Sequence, residues 1–397
     1  MGDIVLRKVT KIFGPAPARA LETLRAGASK EELLAQTGHT IGVREVSLTI
    51  EAGRCFVVMG LSGSGKSTLL RHLNRLIEPT AGEILFDGQD ILRFDSDALR
   101  RFRRDRTSMV FQHFALFPHK TVLDNTAYGL DLRARDRAAR RAGRTTAQHW
   151  IERVGLSGYE AQYPGQLSGG MRQRVGLARA LATNAEILLM DEAFSALDPL
   201  IRRDMQDQLI RLQTELRRTI VFITHDLDEA LRLGDRIAIM NAGAIEQVGS
   251  GEDIVQRPAS EYVARFIEDV NRGRVLTAGA VRLEAIVVRE NESPQAVLAR
   301  LHAQPLAVAY VADAQGRLAG ALNETMLRGA GPGADLRAIA RPVPSAPAAL
   351  VLERVLPLTL ESDFPVAVLD EHGAILGMLP KDRIIAELAA RQRAPRG

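Results

Sequence analysis

The run Gly60-Leu61-Ser62-Gly63-Ser64-Gly65-Lys66-Ser67-Thr68 has the spacing G-x-x-x-x-G-K-[ST], and its residue types suit a polyphosphate. Gly60, Gly63 and Gly65 let backbone N–H groups turn toward one anion, and the helix expected to open here adds the positive end of its dipole. Ser62, Ser64 and Thr68 complete the loop. Lys66 is expected to reach the β- and γ-phosphates, and the Ser67 hydroxyl to ligate Mg²⁺.

Hydrolysis needs a second set of groups. The apolar run Ile187–Met190 ends in Asp191 and Glu192, carboxylates expected at the tip of a buried strand. There one can hold Mg²⁺ through water and the next can polarise an attacking water. Between the two sets, Leu167-Ser168-Gly169-Gly170-Met171-Arg172-Gln173-Arg174 opens a helical pattern reaching about Ala182. A Ser168-Gly169-Gly170 turn at a helix N-terminus is another anion-binding end, yet one nucleotide needs only one phosphate loop. The economical reading is a head-to-tail pair, in which this turn grips the γ-phosphate of a nucleotide held by the other subunit.

These groups must be positioned by an α/β layout. Cys55–Met59, Ile187–Met190 and Thr219–Thr224 are short apolar runs of buried-strand length, each followed by a polar loop and a helical pattern. The helix after the phosphate loop is expected to run through STLLRHLNRLI, residues 67–77. Residues 236–249 read as a hairpin turning near Gly243. Residues 15–41 carry proline punctuation and two short helical patterns, too long for an ordinary connector, and read as a helical insertion. Composition changes near Asn271–Gly279. Beyond it, VADAQGRLAGAL (311–322) and VLDEHGAILGML (368–379) align at an offset of 57, each a strand, an Asp-x-x-Gly turn and a second strand. Two βαββ-like copies should pack as a second domain, with repeats at 275–334 and 335–393 following a domain of residues 1–270.

The 397 residues suit two or three folded units. With 46% apolar and 25% charged residues, the chain fits neither a disordered nor a membrane-embedded class. No window approaches 18 consecutive apolar residues, so work at a membrane would require another subunit's span. The first residues lack the pattern of a secretory signal, and a cytoplasmic location is expected. Lone Cys55 excludes an internal disulfide. A net charge of +4 does not call for nucleic acid. The arginines at 100–106 and at 133–144 read first as solvated helix faces, with anionic lipid or a partner's acidic loop as the alternative.

Taken together, these motifs resemble the ATP-binding subunits of ABC transporters over roughly residues 4–265. Gly60–Thr68 matches Walker A, Gln112 the Q-loop, Leu167–Gln173 the signature, Ile187–Glu192 Walker B, Ser195–Asp198 the D-loop and His225 the switch histidine. The resemblance implies an ABC-type P-loop fold with a RecA-like core, an antiparallel β subdomain and a helical subdomain. It implies that Phe13 stacks on adenine and that Glu192 is the catalytic base. It also implies that His225 contacts the γ-phosphate, and that Gln112 touches Mg²⁺ and lines the groove for the membrane subunit. Asp198 joins the nucleotide-facing set in an ATP-bound homodimer.

Within that family the chain resembles the ATPases of quaternary-amine importers, for glycine betaine, proline betaine or choline. The insertion, the string VMGLSGSGKSTLLRHLNRLIEPTAGEI, Met171 in the signature and the C-terminal repeats carry this narrower match. It implies a peripheral protein on the cytoplasmic side of the inner membrane, working with an integral-membrane permease and a periplasmic or lipid-anchored substrate-binding protein. The repeats resemble tandem CBS modules. Adenine-nucleotide sites in such modules follow Gly-h-h-[Ser/Thr]-x-x-Asp, whereas Gly320 is followed by Asn323 and Met326, and Gly377 by Pro380 and Arg383. The pair is therefore expected to be structural, dimerising or sensitive to ionic strength. The basic tail 391–397 is expected to be solvated. Alternatives are an importer of another small solute, or a non-transport ABC ATPase.

Overall fold

The computed structural model describes residues 2–27, 30–112, 114–195, 197–303, 308–331 and 333–389. Ala196 and the tail 391–397 lie outside them. The chain forms two compact units that divide between Ile254 and Val255.

The first unit begins with a four-stranded antiparallel sheet in the order β2-β1-β4-β5, from β1 (Ile4–Phe13), β2 (Thr40–Ile50), β4 (Ala81–Phe86) and β5 (Gln89–Asp90). Alternating buried and exposed residues on β2 mark a sheet with one covered face. Helices α1 (Pro17–Arg25) and α2 (Lys30–Thr37) fill the connection between β1 and β2, the expected insertion. Ala20 and Leu33 close a small apolar cluster with Ile12 and Ile41.

The second sheet has the order β10-β9-β3-β8-β7-β6. It comprises β3 (Cys55–Met59), β6 (Thr107–Val110), β7 (Ile187–Asp191), β8 (Thr219–Thr224), β9 (Arg236–Asn241) and β10 (Ala244–Gly249). Every residue of β3, β7 and β8 is buried, which is why these strands read as unbroken apolar runs. Only β10 runs antiparallel, joined to β9 through Ala242 and Gly243, both at positive φ, as a two-residue hairpin turn requires. Helix α3 (Lys66–Leu73) shares one core with both sheets through Leu69, Leu70 and Leu73.

Helices α4 (Ser96–Asp105), α5 (Val122–Asp131), α6 (Arg137–Arg153) and α7 (Gly169–Ala182) follow, and α5, α6 and α7 pack on one another. Helix α8 (Pro199–Leu216) and helix α9 (Leu227–Leu233) flank β8 in sequence. Two expectations need correction. Helix α3 stops at Leu73 instead of continuing to Ile77, because Arg75 adopts φ +54 and Asn74 Oδ1 accepts the Leu76 N–H, which turns the chain. The arginine-rich segment is helical only from Arg137, where Asp136 caps α6 by accepting the Ala139 N–H at 2.7 Å. Arg133 and Arg135 precede that helix, and Arg133 is tied to Asp105.

In the second unit, β11 (Ile286–Arg289), helix Pro294–Ala303, β12 (Val308–Ala312) and β13 (Leu318–Asn323) form one copy. β14 (Ser345–Pro347), helix Leu352–Val355, β15 (Val366–Leu369) and β16 (Ile375–Leu379) form the other. In each, the first two strands are parallel and the last two antiparallel. The segment preceding each copy bridges the other copy's hairpin, Leu283 to Met378 and Arg341 to Ala321. Asp313 and Asp370 occupy equivalent turns and accept backbone N–H groups two and four residues on. Arg272 pairs with Glu387, which ties the start of this unit to helix Lys381–Ala389.

Candidate functional site

The phosphate-loop segment runs from the end of β3 into α3. Gly60 and Gly65 have φ +153 and +102, and a Cβ on either would sit 2.2 Å from the Met240 carbonyl oxygen and 2.1 Å from that of Gly42. Neighbouring backbone thus demands glycine at both positions. Lys66 is buried, donating to the Gly60 and Leu61 carbonyls at 2.9 and 3.0 Å. Burial lowers its pKa from the ordinary lysine value, while Glu192 and then Asp191 pull in the opposite direction. Ser64 Oγ is buried without a hydrogen-bond partner.

The parallel strands deliver the remaining groups to the same edge of the sheet, beyond their carboxyl ends, where open α/β sheets bind ligands. Asp191 closes β7, and its carboxylate accepts from Ser67 Oγ at 2.7 Å and pairs with Arg71 at 3.2 Å. Glu192 follows at φ +43, a left-handed conformation that a non-glycine residue adopts only when its surroundings hold it there. Its Oε2 accepts from the Gln112 amide at 3.0 Å and lies 3.5 Å from His225 Nδ1. Gln112 follows β6, and His225 follows β8. Ser195 Oγ donates to the Glu192 carbonyl at 2.9 Å and steadies this turn.

Phe13 ends β1 with 40% of its surface exposed. Its ring covers Gly42, beside Thr68, and Lys11 Nζ stands 5.2 Å from the ring centroid. Ser168 caps α7, its Oγ accepting the Met171 N–H at 3.3 Å. Gly170 abuts Ile201 at the start of α8, where Asp198 Oδ1 accepts the Ile201 N–H at 3.1 Å. The residues expected to serve a nucleotide therefore fall into two sets. One gathers Phe13, Gly60–Thr68, Gln112, Asp191, Glu192 and His225. The other joins Ser168, Gly169 and Gly170 to the Asp198 turn.

Arg71 escaped the sequence reading. Its position four residues after Ser67 on one helix face was the available signal. Chemically, the first set combines a buried cation, a hydroxyl–carboxylate pair and a carboxylate flanked by an amide and an imidazole. Hard oxygen donors at Ser67 and Asp191 suit Mg²⁺. Among the described residues no group of three or more His, Cys, Asp or Glu side chains forms a metal site of its own. The described helices include none long and apolar enough to cross a membrane.

Residues 43–195 match the ABC transporter family. The chain is 46% identical over 389 residues to the glycine betaine transport ATP-binding protein OpuAA of Bacillus subtilis (strain 168), covering 97% of this chain and 92% of the relative. It is 45% identical over 390 residues to the glycine betaine/proline betaine transport system ATP-binding protein ProV of Escherichia coli (strain K12), covering 96% of each. Among solved structures, the dimeric structure of MJ0796, a bacterial ABC transporter cassette, aligns with a TM-score of 0.54 at 32% identity, covering 62% of this chain and 98% of that one. With two relatives matched along nearly their whole length, and with the phosphate loop and acid pair at one sheet edge, the chain belongs to the ABC transporter family as an ATP-binding, ATP-hydrolysing subunit.

Proposed function

We propose that this ATPase powers the import of a quaternary amine, with glycine betaine or proline betaine as the leading substrates and choline next, through a separate membrane permease. The observation that carries the substrate class is the similarity to the two betaine ATPases along nearly the whole chain, including the second unit. An ATPase does not touch the cargo, so only full-length relatedness speaks to it. Residues 1–270 act as the ATP-binding domain with an insertion at 15–41, and 275–334 and 335–393 as two CBS-like repeats. The subunit works at the cytoplasmic side of the inner membrane, with a periplasmic or lipid-anchored binding protein feeding the permease.

In this reading Phe13 stacks on adenine, and Gly60–Gly65 with Lys66 hold the phosphates. Ser67 and Asp191, with Gln112, hold Mg²⁺, which when bound neutralises charge on the phosphate oxygens. Glu192 takes a proton from the attacking water. Its carboxylate is held by Gln112 and faces His225, which contacts the γ-phosphate side. The turn of Ser168, Gly169 and Gly170, together with Asp198, serves the nucleotide of a second copy in a head-to-tail homodimer. The two-set arrangement supports this, because the second set is organised around Ile201 and α8.

ATP-driven uptake of labelled glycine betaine by vesicles containing this chain and its permease tests the proposal. Uptake that disappears in Glu192→Gln supports it. Uptake of an unrelated solute, with none of any betaine or choline, rejects the substrate class.

A further inference from the structure

Helices α8 and α9 meet along a stripe of polar side chains at helical spacing: Arg202, Gln206 and Asp207 on one side, Asp226, Glu229 and Arg232 on the other. Arg202 Nη1 lies 3.4 Å from Asp226 Oδ2, Gln206 Nε2 donates to Glu229 Oε1 at 3.1 Å, and Arg232 Nη2 donates to Asp207 Oδ1 at 2.6 Å. The outer two links are partly exposed and of a kind that adds little stability. The central one is different. Gln206 is 6% exposed and Glu229 5%, and a buried amide–carboxylate pair is a poor choice where packing alone is required.

Each side of this ladder reaches a functional turn. On the α8 side Arg202 Nη2 donates to the Leu197 carbonyl at 3.0 Å, immediately before Asp198. On the α9 side, Thr224 Oγ1 donates to Glu229 Oε2 and accepts the Asp226 N–H at 2.9 Å, while the Glu229 N–H donates to Asp226 Oδ1 at 3.1 Å. His225 lies between Thr224 and Asp226. Both its backbone neighbours are therefore tied to α8, Thr224 through Glu229 to Gln206 and Asp226 directly to Arg202.

We propose that the Gln206–Glu229 pair, with the Arg202–Asp226 link, couples the His225 turn to the Asp198 turn within one protomer, so that the γ-phosphate contact and the dimer-facing segment shift together. Gln206 and Glu229 are then positioning residues for hydrolysis. The inference rests on the hydrolytic reading of Glu192 and His225 given above.

The test measures kcat and KM for ATP, ATP affinity and Tm on the full-length chain carrying Glu229→Leu, Gln206→Glu, or the exchange pair Gln206→Glu with Glu229→Gln. Glu229→Leu removes the acceptor of the Gln206 amide N–H and of the Thr224 hydroxyl proton, and Gln206→Glu sets two carboxylates face to face. Each is expected to lower kcat about tenfold, the scale of one buried hydrogen bond to a charged group, with KM and ATP affinity within about twofold. The exchange pair lets the new amide donate to the new carboxylate and is expected to recover most of the lost kcat. Wild-type kcat in Glu229→Leu overturns the proposal. So does a fall in kcat that tracks lost ATP affinity and Tm and is not recovered by exchange. Glu192→Gln and His225→Ala run alongside. If they abolish turnover while the ladder variants keep it, only the ladder fails. If they retain full turnover, the hydrolytic reading fails and the ladder with it.

Discussion

Gly42→Ala is a small perturbation with a large expected effect on one step. Gly42 lies in β2 against the Phe13 ring, and a Cβ there would stand 2.6 Å from Phe13 Cε2, 3.3 Å from Cδ2 and 3.4 Å from Thr68 Cγ2. Carbon atoms pack at about 3.5–4.0 Å, so the ring must withdraw by about 1 Å. It has room, being 40% exposed, so the fold should survive with an unchanged Tm. In the proposed role of Phe13, what the ring loses is its stacking position on adenine. Stacking of a base on an aromatic side chain contributes about 1–3 kcal/mol, so Kd for ATP should rise about 5- to 150-fold, with kcat at saturating ATP preserved. Titration of ATP into wild type, Gly42→Ala, Phe13→Ala and the double variant isolates the cause. If the alanine acts through the ring, it costs nothing further once Phe13 is gone. An unchanged Kd in Gly42→Ala, or equal costs in the presence and absence of Phe13, would refute the reasoning.

Glu192→Gln keeps an oxygen and gains an amide at the position flanked by Gln112 and His225. It is expected to bind ATP, slow hydrolysis by about 10²–10⁴-fold and accumulate a dimer visible by size-exclusion chromatography. Burial holds the Glu229 carboxyl above the ordinary glutamate range, with hydrogen bonds from Thr224 and Gln206 pulling it down, Asp226 raising it and Arg202 lowering it. Because the folded state keeps this proton longer than the unfolded chain, its stability contribution is full below the ordinary value of 4.5 and is lost as pH rises through the folded value. Glu229→Gln should therefore raise Tm above wild type at pH 8 and lose that advantage toward pH 4.5, as scanning calorimetry can follow. In the second unit, a Cβ at Gly320 would meet the Arg341 carbonyl oxygen at 2.8 Å, and one at Gly377 that of Leu283 at 2.5 Å. Alanine at either should destabilise that unit by about 1–3 kcal/mol in urea titrations, while ATP affinity is unchanged.

Much of the first site was legible because its groups belong to short stretches tied to buried strands. The all-apolar β3 and β7 announce themselves, and the glycines, Lys66, Asp191 and Glu192 follow at their ends. The insertion, the β9–β10 hairpin and the repeated Asp-x-x-Gly turns were readable for the same reason: local residue chemistry sets the turn. What was hidden is long-range or opposed to local propensity. Arg75 at positive φ ends α3 inside a helix-compatible stretch. Gln206 and Glu229 lie 23 residues apart and look like solvent-facing side chains until α8 and α9 are packed. Likewise, no spacing reveals that Glu192 takes a hydrogen bond from a residue 80 positions earlier.

The most direct test of the account is ATP-driven uptake of labelled glycine betaine and choline by vesicles carrying this chain with its permease, at low and high internal salt. The account predicts betaine uptake that is abolished by Glu192→Gln and requires ATP on the side exposed to this subunit. Uptake that survives Glu192→Gln, or ATP hydrolysis that supports transport of neither amine, would contradict it.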